Sequence, residues 1–202
     1  MKAIRFSVLA LAALVAAACL PVQTKAPIGQ SVGYHPDPAL LGVWKGHGED
    51  SGNEDSGNKE GDKDGIIVFL KDGEDGMTAI LCGPDGGGEW EAFAVHAAKL
   101  GGRTYMSVRE QVKDGKPVDD EDAKHEIALA YRIANGRLVM TLLDEKATAA
   151  AIHAGKIKGE VESGGTGDVR ITADAAAQDA FFATQEGAAL FGAKLLTMRK
   201  LD

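Results

Sequence analysis

The sequence predicts a mainly β protein, an antiparallel β-barrel or sandwich of about eight strands with two short C-terminal helices. Three observations predict it. Short apolar runs recur between turn signals from Ala39 to Asp144. An Asn-Gly pair, the best short hairpin signal, sits between two of these runs. After Asp144 the composition turns alanine-rich and helix-like.

The runs follow in order. "ALLGVWKGHG" opens the series, and "GIIVFLKDG", "GMTAILCG", "GGEWEAFAVHAAKLGG", "GRTYMSVREQVKDG", "HEIALAYRIANG" and "RLVMTLLDE" continue it. Between them stand Lys-Asp-Gly at 71–73, Asp-Gly at 75–76, Gly-Gly at 101–102, Lys-Asp-Gly at 113–115 and Asn-Gly at 135–136. Asn and Gly both accept positive φ, so Ile127–Ala134 and Arg137–Asp144 are expected to form a hairpin through a type I′ turn. "DEKATAAAIHAGKIKG" reads as a helix stopped by Gly155, and "GDVRITA" as a strand with Val169 and Ile171 on one face. "TADAAAQDAFFATQEG" reads as a second helix, capped by Thr172 or Asp174 and stopped by Gly187. "KLLTMRKL" is expected as the last strand.

The acidic stretch "EDSGNEDSGNKEGDKDG" at 49–65 has no apolar side chain and contains a tandem "EDSGN". It lies between two strand-like runs, so it reads as a long solvated loop. Asp62, Asp64 and Gly65 give a fragment of a calcium loop, but "IIVFLK" follows where a carboxylate ligand is required.

The first residues are of another kind. Lys2 and Arg5 precede "FSVLALAALVAAAC", an apolar run short for a membrane span. A basic start, an apolar middle and small residues before a break describe a secretory signal peptide. Ala16, Ala17 and Ala18 stand directly before Cys19. This stretch resembles a bacterial lipobox, departing from it at Ala16, where leucine is commoner. The resemblance implies cleavage after residue 18 and a diacylglycerol on Cys19. Leu20 in place of aspartate then implies the outer membrane rather than the inner one. Ala16 and Ala18 also suit the ordinary signal peptidase, which would leave a soluble periplasmic or secreted protein.

The expected organisation is a signal peptide over 1–18, a lipidated cysteine and flexible tether over 19–38, and a single β-rich domain over 39–202. The tether reading rests on four prolines in "LPVQTKAPIGQSVGYHPDP" and the absence of any period. The whole chain carries a net charge of −8. Removing residues 1–18 takes away Lys2 and Arg5 and no carboxylate, so the remainder is more acidic still. Such a surface excludes nucleic acid as an expected partner, since nothing neutralises phosphates. It also disfavours electrostatic docking on anionic headgroups, so acyl chains would have to hold the protein to a membrane. Cys82, in "MTAILC", reads as a buried, inert thiol.

No catalytic constellation stands out. There is no G-x-S-x-G or H-E-x-x-H, and "SGGTGD" and "GPDGGGEW" lack the order of phosphate-binding loops. His35, His47, His96, His125 and His153 show no metal-ligand spacing. Neither an enzyme, nor a metal, nor a cofactor is expected.

"GVWKG" at 42–46 carries a second resemblance. A Gly-x-Trp on the first strand of a secreted β domain resembles the start motif of the lipocalins and the wider calycin group. The resemblance implies a barrel closed at one end by Trp44, with Gly42 before it and Arg199 packed across the indole. The C-terminal third, with two helices around a strand, departs from the lipocalin pattern. A small apolar ligand is then the expected partner, with Trp90, His96, Tyr105 and Tyr131 as candidate pocket residues. A structural or protein-interaction role in the envelope is the alternative. Ala92, Ala94, Ala128 and Ala130 would leave room inside the barrel if they faced inward, or take a packed layer if they faced outward.

Overall fold

The computed structural model describes residues 21–48, 65–82, 90–119, 126–162 and 168–201. The signal peptide, Cys19, most of the acidic stretch and most of the two glycine-rich stretches lie outside these residues.

Eight antiparallel strands close into a barrel. They are β2 (Gly42–Gly48), β3 (Gly65–Asp72), β4 (Gly76–Cys82), β5 (Trp90–Leu100), β6 (Arg103–Lys113), β8 (Glu126–Ala134), β9 (Arg137–Leu143) and β12 (Phe191–Lys200). Each pairs with the next in this order. β12 returns to pair with β2, which closes the ring. Four short strands lie outside it: β1 (Gln23–Thr24), β7 (Lys116–Pro117), β10 (Gly159–Val161) and β11 (Val169–Ile171). β1 joins the start of β8 and is parallel to β11. Full closure leaves the barrel strands no open edge between them, which removes a template for aggregation.

The expected hairpin is β8–β9. Asn135 and Gly136 have φ of 52° and 70°, as a type I′ turn demands. Register follows from the pleat. Ile67, Phe69, Met77, Ala79, Val95, Ala97, Met106, Leu129, Met140 and Met198 point inward and form one apolar core. Gly46 lets β2 and β12 approach, because a Cβ there would stand 2.2 Å from the Thr197 carbonyl oxygen.

A second core lies outside the barrel wall. The helices α1 (Glu145–His153), α2 (Ala175–Phe182) and α3 (Gln185–Ala188) belong to this layer. Asp144 and Asp174 cap the first two by accepting from the Ala147 and Ala177 amides, and Gly155 in a left-handed conformation (φ 69°) follows α1. Gly187, expected to stop the second helix, instead lies inside α3, which Thr184 caps. Buried Gly187 sits so close to α2 that a Cβ would reach the Phe181 carbonyl oxygen at 2.2 Å, so it serves packing rather than termination. Tyr105, Ala128, Ile171, Phe182 and Leu190 are among the residues of this outer core. Ala128 and Ala130 therefore face outward and take the packed layer; they do not line the barrel.

Residues 21–38, expected to be a flexible tether, are built into the domain from Pro21 onward. Val22, Thr24 and Ile28 are buried, and the segment runs as a strap along the outer wall. The Ile28 amide donates to Ser107 Oγ at 2.8 Å, and the His35 amide to the Ala97 carbonyl at 3.1 Å. Gln178, fully buried in α2, donates to the Ala26 carbonyl at 2.8 Å. The segment has no period, but irregular backbone can be fixed by side-chain and helix partners.

Candidate functional site

The two ends of the barrel differ. At one end turn the β3–β4, β5–β6 and β8–β9 connections. Trp44 plugs it, fully buried, with its indole N–H donating to the Leu40 carbonyl at 2.6 Å. Leu40, Met77, Leu138 and Met198 fill the space around it. The Tyr131 hydroxyl donates to Asp37 Oδ2 at 2.7 Å; burial and that carboxylate hold its phenol far above the usual range.

The cation over Trp44 is Lys200, not Arg199. Lys200 pairs directly with Trp44 across the β2–β12 ladder, and its Nζ stands 5.4 Å from the ring centroid. Arg199 pairs with Lys45 and is exposed on the opposite face. Side chains alternate along a strand, so a one-residue difference moves a group to the other side of the sheet. Gly42, at φ 119°, precedes the plug as expected, and a Cβ there would meet Lys200 Cε at 3.1 Å.

Toward the other end the barrel holds a cavity of about 140 Å³. Ile67 and Phe69 of β3, Ala79 and Leu81 of β4, and Phe93 of β5 line one side. Met106, Val108, Leu129, Met140 and Leu142 line the other. Pro21, the first described residue, stands at its margin. Among the described residues, Glu91 is the one ionisable side chain in the lining. Burial raises its carboxyl, and Glu110 nearby raises it further; Lys113 pulls it down more weakly. Trp44 and its neighbours fill the plugged end, whereas the small side chain of Ala79 stands on the cavity wall. An engineered apolar cavity of roughly 150 Å³ accepts benzene, which sets the scale of guest that this one admits.

None of the four residues singled out as pocket candidates lines this cavity. Trp90 lies at the rim, 39% exposed. Tyr105 faces the outer core, buried, and its hydroxyl donates to the Phe182 carbonyl at 3.0 Å. Tyr131 belongs to the plugged end. His96 lies on the outer wall, stacked under Tyr34 with ring centroids 4.4 Å apart. Burial and Arg109 lower its imidazole below the usual range. Cys82, expected to be buried, is half-buried and free at the end of β4. Among the described residues no group of acidic, histidine or cysteine side chains is gathered as a metal site. The lining residues that sequence reasoning missed are mostly aliphatic, together with Phe69, Phe93 and Glu91. Their signal was parity: "EAFAVHA" alternates, so Glu91, Phe93, Val95 and Ala97 share the inward face.

Beneath the strap lies a polar group of a different sort. Glu126 is 4% exposed, and its Oε1 faces Arg109 Nη1 at 3.7 Å. Desolvation raises the Glu126 carboxyl and Arg109 offsets part of this. Asp179, 3% exposed in α2, accepts from the Gly29 amide at 2.6 Å, the Ser31 amide at 2.9 Å and the Ser31 hydroxyl at 2.6 Å. These contacts fasten the strap to the helix.

A closed, eight-stranded, antiparallel barrel, plugged at one end and hollow toward the other, is compatible with a lipocalin-like fold. No protein-family model, curated protein or solved structure matches the chain.

Proposed function

We propose that the protein is a periplasmic lipoprotein, anchored in the outer membrane through acyl chains on Cys19, whose barrel binds a small apolar ligand. The observation that carries the binding role is the cavity: set within the barrel and lined chiefly by aliphatic and phenyl side chains, it suits an apolar guest. The lipoprotein reading is supported by the lipobox resemblance at Ala16–Cys19. The reading is non-catalytic and needs no cofactor.

Anchor and cavity support one another geometrically. Pro21, two residues after Cys19 in the sequence, stands at the cavity margin. An acylated Cys19 would turn the mouth toward the bilayer, where apolar solutes are concentrated. Without acylation the same domain would be a soluble periplasmic carrier.

Native mass spectrometry of residues 20–202, exported to the periplasm and released gently, tests the binding role. A discrete adduct lost on organic extraction is expected. Ala79→Phe should abolish it, because Ala79 lines the cavity and the added ring would take up its space. Overpacking there is expected to change stability by no more than about 1–3 kcal/mol. An adduct that survives Ala79→Phe in a folded protein would place the ligand elsewhere. Metabolic labelling with a fatty-acid analogue, with Cys19→Ala as control, tests the anchor.

A further inference from the structure

We propose that the ligand of this cavity is a flat, uncharged, single-ring aromatic compound whose ring stands over Ala79 between Phe69 and Phe93. The inference rests on the binding role proposed above and specifies the class of ligand.

The strand register builds the slot. Phe69 of β3 pairs with Ala79 of β4, and Ala79 pairs with Phe93 of β5. All three line the cavity. Two phenyl side chains thus flank the smallest side chain of the lining in one cross-strand row. Neighbouring strands lie roughly 4.8 Å apart, so a ring centred over Ala79 has a phenylalanine strand at about that distance on either side. Aromatic pairs attract at centroid separations of roughly 4.5–7 Å.

The two phenyls have no competing ring partner. In the outer core Tyr105, Phe181, Phe182 and Phe191 pack ring against ring, and Tyr34 stacks on His96. Among the described residues, neither Phe69 nor Phe93 makes such a contact. A guest ring would supply it to both.

The other side of the cavity suits the same guest. Met106 of β6 pairs with Leu129 of β8, which pairs with Leu142 of β9. These three line the cavity, and so does Met140. A thioether sulfur attracts an aromatic ring at about 5 Å, often at the ring edge, and the unbranched methionine chain adjusts to reach it. A saturated ring or a linear chain of similar size gains burial but neither of these contacts. The cavity volume of about 140 Å³ fits one ring. Glu91 apart, the described lining carries no strong hydrogen-bonding group, so a polar substituent turned inward would be buried without a partner.

The test is a titration of the exported protein with three hydrocarbons of equal carbon number: toluene, methylcyclohexane and n-heptane. Chemical shifts of the methyl groups of Met106, Leu129 and Met140 report entry. Toluene is expected to bind at least about tenfold more tightly than methylcyclohexane, the gain that two ring contacts allow. Phe69→Leu and Phe93→Leu should each reduce that ratio several-fold, and the dispersed methyl spectrum of each variant shows whether it is folded. Comparison of the three probes in the parent protein stands even where a variant does not fold. If methylcyclohexane or n-heptane binds as tightly as toluene, the aromatic proposal is overturned and the apolar carrier reading stands. If the ratio is unchanged in both folded variants, the slot between the phenyls is overturned as its cause. If no probe shifts the interior methyls, the carrier reading fails and the aromatic proposal falls with it.

Discussion

Asp179→Ala is expected to destabilise the protein by about 2–4 kcal/mol and to loosen the strap. The carboxylate is 3% exposed and accepts three hydrogen bonds from Gly29 and Ser31. Bonds to an ionised acceptor contribute about 1.5–3 kcal/mol each in favourable cases. They do not add fully here. Ser31 is exposed, so water can replace its partner, whereas buried Gly29 would keep an amide without one. Gly29 also packs so tightly on Ala98 that a Cβ there would stand 2.1 Å from the Ala98 Cβ. Asp179→Asn, which keeps a single carbonyl acceptor, should cost about half as much. Urea unfolding with an unchanged slope would measure the loss. Hydrogen exchange would localise it, with the Gly29 and His35 amides deprotected before those of the barrel. A loss under about 0.5 kcal/mol would mean that the strap is held chiefly by buried Val22 and Ile28 and by its bonds to Ser107, Gln178 and Ala97.

This strap marks the boundary of what could be read from sequence. The β8–β9 hairpin was legible because its turn is local chemistry: Asn135 and Gly136 accept positive φ and few other pairs do. Barrel architecture was legible for a similar reason, since each run reports its own period. The strap has no period, and its order comes from partners more than 70 residues distant, Ser107 and Asp179. Composition alone made it look like a tether. The same limit explains the alanines. Whether Ala128 and Ala130 face the interior or the helices depends on how β8 is rotated in the closed ring, and a strand's own sequence does not state that.

The candidate site was less legible than the fold. Aromatic residues were the natural guesses for a pocket, but Tyr105 and Tyr131 each had a hydroxyl to satisfy and went where a carbonyl or carboxylate met it. The space that remained is lined chiefly by side chains without polar tips. Glu91 was visible in the alternation "EAFAVHA", yet a lone acid at a strand start usually marks a solvated end. Only closure of the barrel puts its carboxylate in the lining, beside Glu110.

Trp44→Ala is expected to have the largest effect of all, a loss of about 3–5 kcal/mol. The indole is fully buried in the plugged end of the barrel. Its removal would leave a cavity that Met77, Leu138 and Met198 cannot fill without moving the strands that carry them. It would also leave the Leu40 carbonyl without the 2.6 Å bond it accepts now. Trp44→Phe separates the two contributions: the ring volume is largely kept and the hydrogen bond is lost, so about 1–2 kcal/mol should go. Lys200→Ala should cost no more than about 1 kcal/mol, since an exposed cation over a ring is worth about 0.5–1 kcal/mol. Arg199→Ala should cost less still, because Arg199 faces away from the indole. Thermal unfolding of the four variants would rank them. Arg199→Ala exceeding Lys200→Ala would mean that β12 is registered one residue from its position here, and every inward residue of that strand would then have to be reassigned.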